Sequence, residues 1–138
     1  MIVYVTILIV FFYFIGMILF KKRRYDSSFN LVFKERVTLT KNHFFQTFYK
    51  DKIPEFIVIQ TLSILDELLP FDTSKLYPDD SFTGNLNFLW KYTDEFTDIE
   101  IIERLENNFN IEISNEEAKN INSFDDIVKL VAKKLNHS

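Results

Sequence analysis

The sequence predicts an all-α protein, a four-helix bundle preceded by a single N-terminal transmembrane helix. An uncharged apolar run fills residues 1–20. Later segments repeat apolar residues at three- and four-residue spacing between capping signals, the mark of amphipathic helices. A length of 138 residues leaves room for one domain of ordinary size beside that run.

The first element is MIVYVTILIVFFYFIGMILF, in which Thr6 is the one polar side chain apart from two tyrosine phenols. Twenty helical residues span about 30 Å, the hydrocarbon thickness of a bilayer. Four cations follow at once: Lys21, Lys22, Arg23 and Arg24. A secretory signal carries its charge before the apolar run and small residues at its end; here the order is reversed and the run ends in Ile-Leu-Phe. The positive-inside rule places the basic side in the cytoplasm and the N-terminus outside. A single-pass anchor with a cytoplasmic body is expected, with residues 1–24 contacting membrane lipid and the four cations at the interface.

Residues 21–52 form a basic, aromatic juxtamembrane segment, with nine cations against three anions. Tyr25, Phe29, Phe33, Phe44, Phe45, Phe48 and Tyr49 are interleaved with them. Cations beside anionic headgroups gain roughly 1 kcal/mol each, and aromatics settle at the interface. This composition also suits single-stranded nucleic acid, but the adjoining membrane is the simpler partner and no nucleic acid is expected. Residues 43–50 read as a short helix with Phe44, Phe45 and Phe48 on one face. Residues 29–39 are compatible with a strand or with an extended tether.

Residues 53–138 hold seven cations and seventeen anions, so the overall charge of −4 is the sum of neutral, +6 and −10 regions. Pro54 suits a helix start, and the apolar-rich run from Glu55 to Leu69 ends at Pro70. Phe71 to Asp80 is turn-rich, with Pro78-Asp79-Asp80-Ser81 placed to cap a short element. Thr97-Asp98-Ile99-Glu100 reads as a capping box opening a helix with Ile99, Ile102, Leu105 and Phe109 inward and Glu100, Glu103 and Glu106 outward. Asn110 stops it. Ser114 to Glu117 is a second capping box, and Ser123 caps a last helix whose stripe is Phe124, Ile127, Val128, Val131 and Leu135. Lys133 and Lys134 complement its C-terminal dipole.

Absences narrow the chemistry. There is no cysteine, hence no disulfide, zinc-thiolate, iron–sulfur or thiol-nucleophile site. Two glycines cannot build a phosphate loop, and His43 and His137 are the only histidines. No catalytic residues, metal or cofactor are expected, and the chain does not read as an enzyme.

The order of elements in 53–138, together with Ile99-Glu100-Ile101-Ile102-Glu103-Arg104-Leu105-Glu106-Asn107-Asn108-Phe109-Asn110-Ile111-Glu112-Ile113 and Ser123-Phe124-Asp125-Asp126-Ile127, resembles an acyl or peptidyl carrier protein. The segment from Phe109 to Ile113 is similar to the turn that leaves the family's second helix. The resemblance implies a four-helix carrier fold and an Asp-Ser-Leu motif at the second-helix entrance, whose serine bears phosphopantetheine. This chain has Asp94-Glu95-Phe96 there. A carboxylate cannot form the phosphodiester, so no arm is expected, and the chain resembles bacterial acyl-carrier-like domains in which an acidic residue replaces the serine.

The resemblance then implies a non-catalytic protein-interaction module. Asp94, Glu95, Asp98, Glu100, Glu103 and Glu106 would steer toward a basic surface of a protein partner. The plainer alternative is that these acids are only the solvated side of a helix, which the helix dipole also favours. Two further readings stay open: a working membrane-tethered carrier modified at another hydroxyl such as Ser81, and a small membrane-bound immunity or regulatory protein.

Overall fold

The computed structural model describes residues 2–93 and 95–136, with backbone alone over 20–28. Six α-helices and two short 3-10 helices account for its regular structure, and no strand occurs among the described residues. The chain divides into two compact units, Met1–Lys34 and Glu35–Ser138.

The first unit is one helix, α1, Ile2–Phe33. Its segment Ile2–Leu19 has a mean hydropathy of 2.7 and none of it is buried, so it is long and apolar enough to cross a membrane. The Thr6 hydroxyl donates to the Ile2 carbonyl at 2.8 Å, which satisfies the polar group within the helix. The helix does not stop after the apolar run. At 32 residues it is about 48 Å long, and Phe29 and Phe33, one turn apart, stack at 4.7 Å. Residues 29–33 are therefore helical, neither strand nor tether, and irregular backbone begins only at Lys34. The side chains of Lys21, Lys22, Arg23 and Arg24 lie outside the described residues.

The second unit begins at Glu35, so residues 35–52 are part of the body. Helix α2, Lys41–Phe48, is capped by Thr40, whose hydroxyl accepts the His43 N–H at 3.1 Å. Phe44, Phe45 and Tyr49 are buried. Asp51, at φ 64°, takes the left-handed conformation that turns the chain. Pro54 then caps α3, Glu55–Leu68. This helix packs on α2, on α4 (Thr97–Phe109) and on α6 (Phe124–Asn136). Ile57, Val58, Thr61, Leu62, Ile64 and Leu65 are buried on it, more than one face wide, as a central helix requires.

Helix α4 departs from its expected frame. The capping box at Thr97 is absent: Phe96 is the N-cap, no side chain caps the helix, and Thr97 is its buried first residue. The inward row is Thr97, Ile101, Leu105 and Phe109, an unbroken i,i+4 series, whereas Ile99 is 52% exposed. Thr97 is held for its packing face, and that rotates Ile99 outward. Asn110 ends α4 at φ 52°, and the Ile111 N–H returns to the Glu106 carbonyl at 3.1 Å.

Helix α5, Asn115–Lys119, buries none of its residues and is held by a complete capping box. The Ser114 N–H donates to Glu117 at 2.9 Å, and the Glu117 N–H to Ser114 Oγ at 3.2 Å. Lys134 of α6 adds an ion pair to Glu117 at 2.8 Å. Ser114→Ala is expected to lower stability by about 1 kcal/mol, read as a shifted urea midpoint with unchanged slope. Helix α6 opens with the same reciprocal pattern between Ser123 and Asp126 and buries Phe124, Ile127, Val128 and Val131.

A long connection, residues 69–96, joins α3 to α4 and carries two 3-10 segments among its described residues, Thr73–Lys75 and Asn87–Lys91. It is folded down by specific bonds. Asp66 accepts both the N–H and the hydroxyl of Thr73 and pairs with Lys41. The Phe82 N–H reaches the Asn122 carbonyl, the Asp125 N–H reaches the Pro78 carbonyl, and Trp90 Nε1 donates to Phe82 O at 2.8 Å. A Cβ on Gly84 would lie 2.9 Å from Ser81 Cβ and Oγ, which explains the glycine in this tight turn.

Candidate functional site

The entrance of α4 carries the predicted acidic face. Glu95 is exposed in the turn just before the helix, and Asp94 lies outside the described residues. Asp98 is exposed and accepts the Ile99 N–H at 2.8 Å, covering one of the free amides of the first turn. Since Thr97, Ile101, Leu105 and Phe109 face inward, the opposite side of α4 presents Ile99, Glu100 and Glu103. Phe96, 61% exposed, and Ile99 add an apolar component beside these acids.

One residue of the predicted set, and an arginine among them, are used within the body. Glu106 is half-buried and accepts the Ile113 N–H at 2.8 Å, fastening the chain that leaves α4. Arg104, between the outward acids, is engaged by Glu67 of α3. The open acidic face among the described residues is thus Glu95, Asp98, Glu100 and Glu103.

Ser81, the other hydroxyl considered for modification, belongs to a polar cluster. Asn122 Nδ2 donates to Ser81 Oγ at 3.0 Å, and Thr83 Oγ1 donates to Asn122 Oδ1 at 2.6 Å.

A second charged centre escapes sequence reading. Arg36 meets Asp80 through both guanidinium nitrogens, at 2.5 and 2.8 Å, with the Asp80 side chain only 4% exposed. The guanidinium also lies 3.9 Å from the centre of the Tyr77 ring and donates to the Lys75 carbonyl. Asp80 further accepts the Tyr77 N–H at 2.8 Å and Asn85 Nδ2 at 2.9 Å. Asp80 therefore caps no helix; it is the buried anion of an ion pair. Burial by itself raises its pKa, but the bonds from Arg36, Tyr77 and Asn85 and the arginine charge outweigh it and hold the carboxyl below its usual range. Arg36 is one of the nine cations of residues 21–52, and sequence gives no sign that a residue 44 positions away neutralises it.

Beside this pair lies an open cleft of about 770 Å³, walled by Val37, Leu39, Phe48, Ile53, Tyr77 and Pro78. At its edge Tyr49 donates to Asp125 at 2.8 Å, and Lys129 pairs with Asp125 at 2.6 Å. Burial, and then the bond to the Asp125 carboxylate, push the Tyr49 phenol far above its ordinary value, so it stays protonated and serves as a donor. No protein-family model matches this sequence, and no curated protein matches it either.

Proposed function

We propose that this chain is a membrane-anchored, non-catalytic interaction module of acyl-carrier-like design that bears no phosphopantetheine. In this reading α1 is a retained anchor, the N-terminus lies outside, and the body works in the cytoplasm. The face formed by Glu95, Asp98, Glu100 and Glu103 receives a basic surface of a protein partner. The observation that carries the proposal is the exposed Glu95 in the turn that opens α4, at the position where a carrier would present its serine. A fixed carboxylate there ends the covalent chemistry and adds to a field that steers cationic surfaces inward. Phe96 and Ile99 supply apolar area that a purely solvated face would not need.

The test is capture of partners from detergent-solubilised membranes by the wild-type chain and by the Glu100→Lys, Glu103→Lys double variant. Both positions are exposed, so the fold is retained. The expected result is loss of the captured protein, with partial loss in wild type as salt rises through the physiological range. Identical capture by both proteins sinks the proposal. Intact-mass measurement after co-expression with a phosphopantetheinyl transferase should show no added arm; an adduct at Ser81 or any other hydroxyl would make the chain a working carrier.

A further inference from the structure

We infer that residues 35–40 form a releasable strap, locked by the Arg36–Asp80 pair, that closes one side of the cleft beside α2. The strap has no regular structure. It is fastened at Arg36, through the two-pronged contact with Asp80, and at Leu39, whose N–H donates to the Ser74 carbonyl at 2.7 Å. Between and around these points Glu35, Val37 and Thr38 are exposed, Val37 to 72%. Val37 and Leu39 nevertheless form one wall of the cleft, facing a side that includes Phe48, Tyr77 and Pro78. The Arg36 head group, through Asp80, the Lys75 carbonyl and the Tyr77 ring, and the Leu39 backbone bond thus fasten this wall at two points.

The two halves of the lock differ in freedom. Asp80 is fixed from within its own loop by the Tyr77 N–H and Asn85, and it is nearly inaccessible to water. Arg36 sits on the irregular segment. Opening therefore moves the arginine outward into water with the strap and leaves Asp80 in place. Thr40, as the cap of α2, supplies the fixed end about which the strap swings. Its other end continues covalently toward α1. Opening lifts the guanidinium from the part-exposed Tyr77 ring and removes Val37 and Leu39 from the cleft lining, leaving a more open apolar surface. Segments with few buried contacts open at lower free energy than the core, in cooperative local units.

Amide hydrogen exchange on the full chain in detergent micelles tests this. In wild type the Leu39 amide should exchange at least about tenfold faster than those of Leu65 and Val128, with a rate that low urea does not alter. Asp80→Asn should bring it close to the rate of free chain while the order of protection in α3 and α6 is kept. A Leu39 amide that exchanges with the core amides and shares their urea dependence overturns the strap. So does an unchanged Leu39 rate in Asp80→Asn. Should that variant fail to fold, Arg36→Lys retains a charge but loses the fork, and it must show the same acceleration in smaller measure; an unaltered rate there also overturns the proposal.

Discussion

Arg36→Met is expected to destabilise the body by about 3–5 kcal/mol, because it leaves a buried carboxylate without its countercharge. Asp80 cannot follow the solvent outward: its side chain is 4% exposed and tethered by Tyr77 and Asn85. Removing the other partner should cost less. In Asp80→Asn the arginine can leave with the strap and be hydrated, so a loss of about 1–3 kcal/mol is expected, the range for an unsatisfied buried hydrogen-bonding group. The single tryptophan, Trp90, bonded to the Phe82 carbonyl, gives a fluorescence signal for urea unfolding in both variants. The dependence on pH follows from the direction of the shift. In wild type the folded Asp80 has a pKa below its ordinary value of 3.8. Its stabilising contribution is therefore fully present above that value and is lost as pH falls through the folded pKa. The deficit of Arg36→Met should narrow over the same acid range. A deficit constant from pH 7 downward would show that the loss comes from packing and not from charge.

Phe124→Ala should cost about 3–5 kcal/mol, the range for emptying a buried aromatic position. Phe124 is fully buried, meets Phe44 edge-on at 5.1 Å and an 88° interplanar angle, and lies 5.9 Å from Tyr49. Its ring, on α6, packs on Phe44 of α2, so the cavity opens between these two elements. The aromatic geometry adds to the area term. Urea unfolding should show a lower midpoint, and a change smaller than about 1 kcal/mol would mean that the site collapses around the alanine.

The sequence was legible wherever a local rule decides the structure. The apolar helical run, the Ser114 capping box, the cap at Ser123, the Asn110 stop and the α6 stripe Phe124, Ile127, Val128 and Val131 depend on near neighbours in sequence and appear as read, while Leu135 at the end of that stripe is only half-buried. Reading failed where a distant partner set the outcome. Thr97 looked like a cap because Glu100 follows it, but α3 draws Thr97, Ile101 and Leu105 inward and turns Ile99 to solvent. Asp79-Asp80 looked like turn residues, and only the fold brings Arg36 to Asp80. The acidic face was legible as charge. Which of its members stay open was not, since the role of Glu106 depends on the path of the chain seven residues later.

The contact between Tyr49 and Asp125 spans 76 residues of chain, and this has a consequence for biosynthesis. Translation runs at about 5–20 residues per second. Phe44 and Tyr49 are therefore made roughly 4–15 s before Phe124 and Asp125, their partners at the start of α6. Through that interval Phe44 and Tyr49 lack the Phe124 ring that packs on them in the finished fold. The nascent body is exposed to aggregation until its last helix emerges, so truncation near the C-terminus would be more damaging than the modest length of α6 suggests.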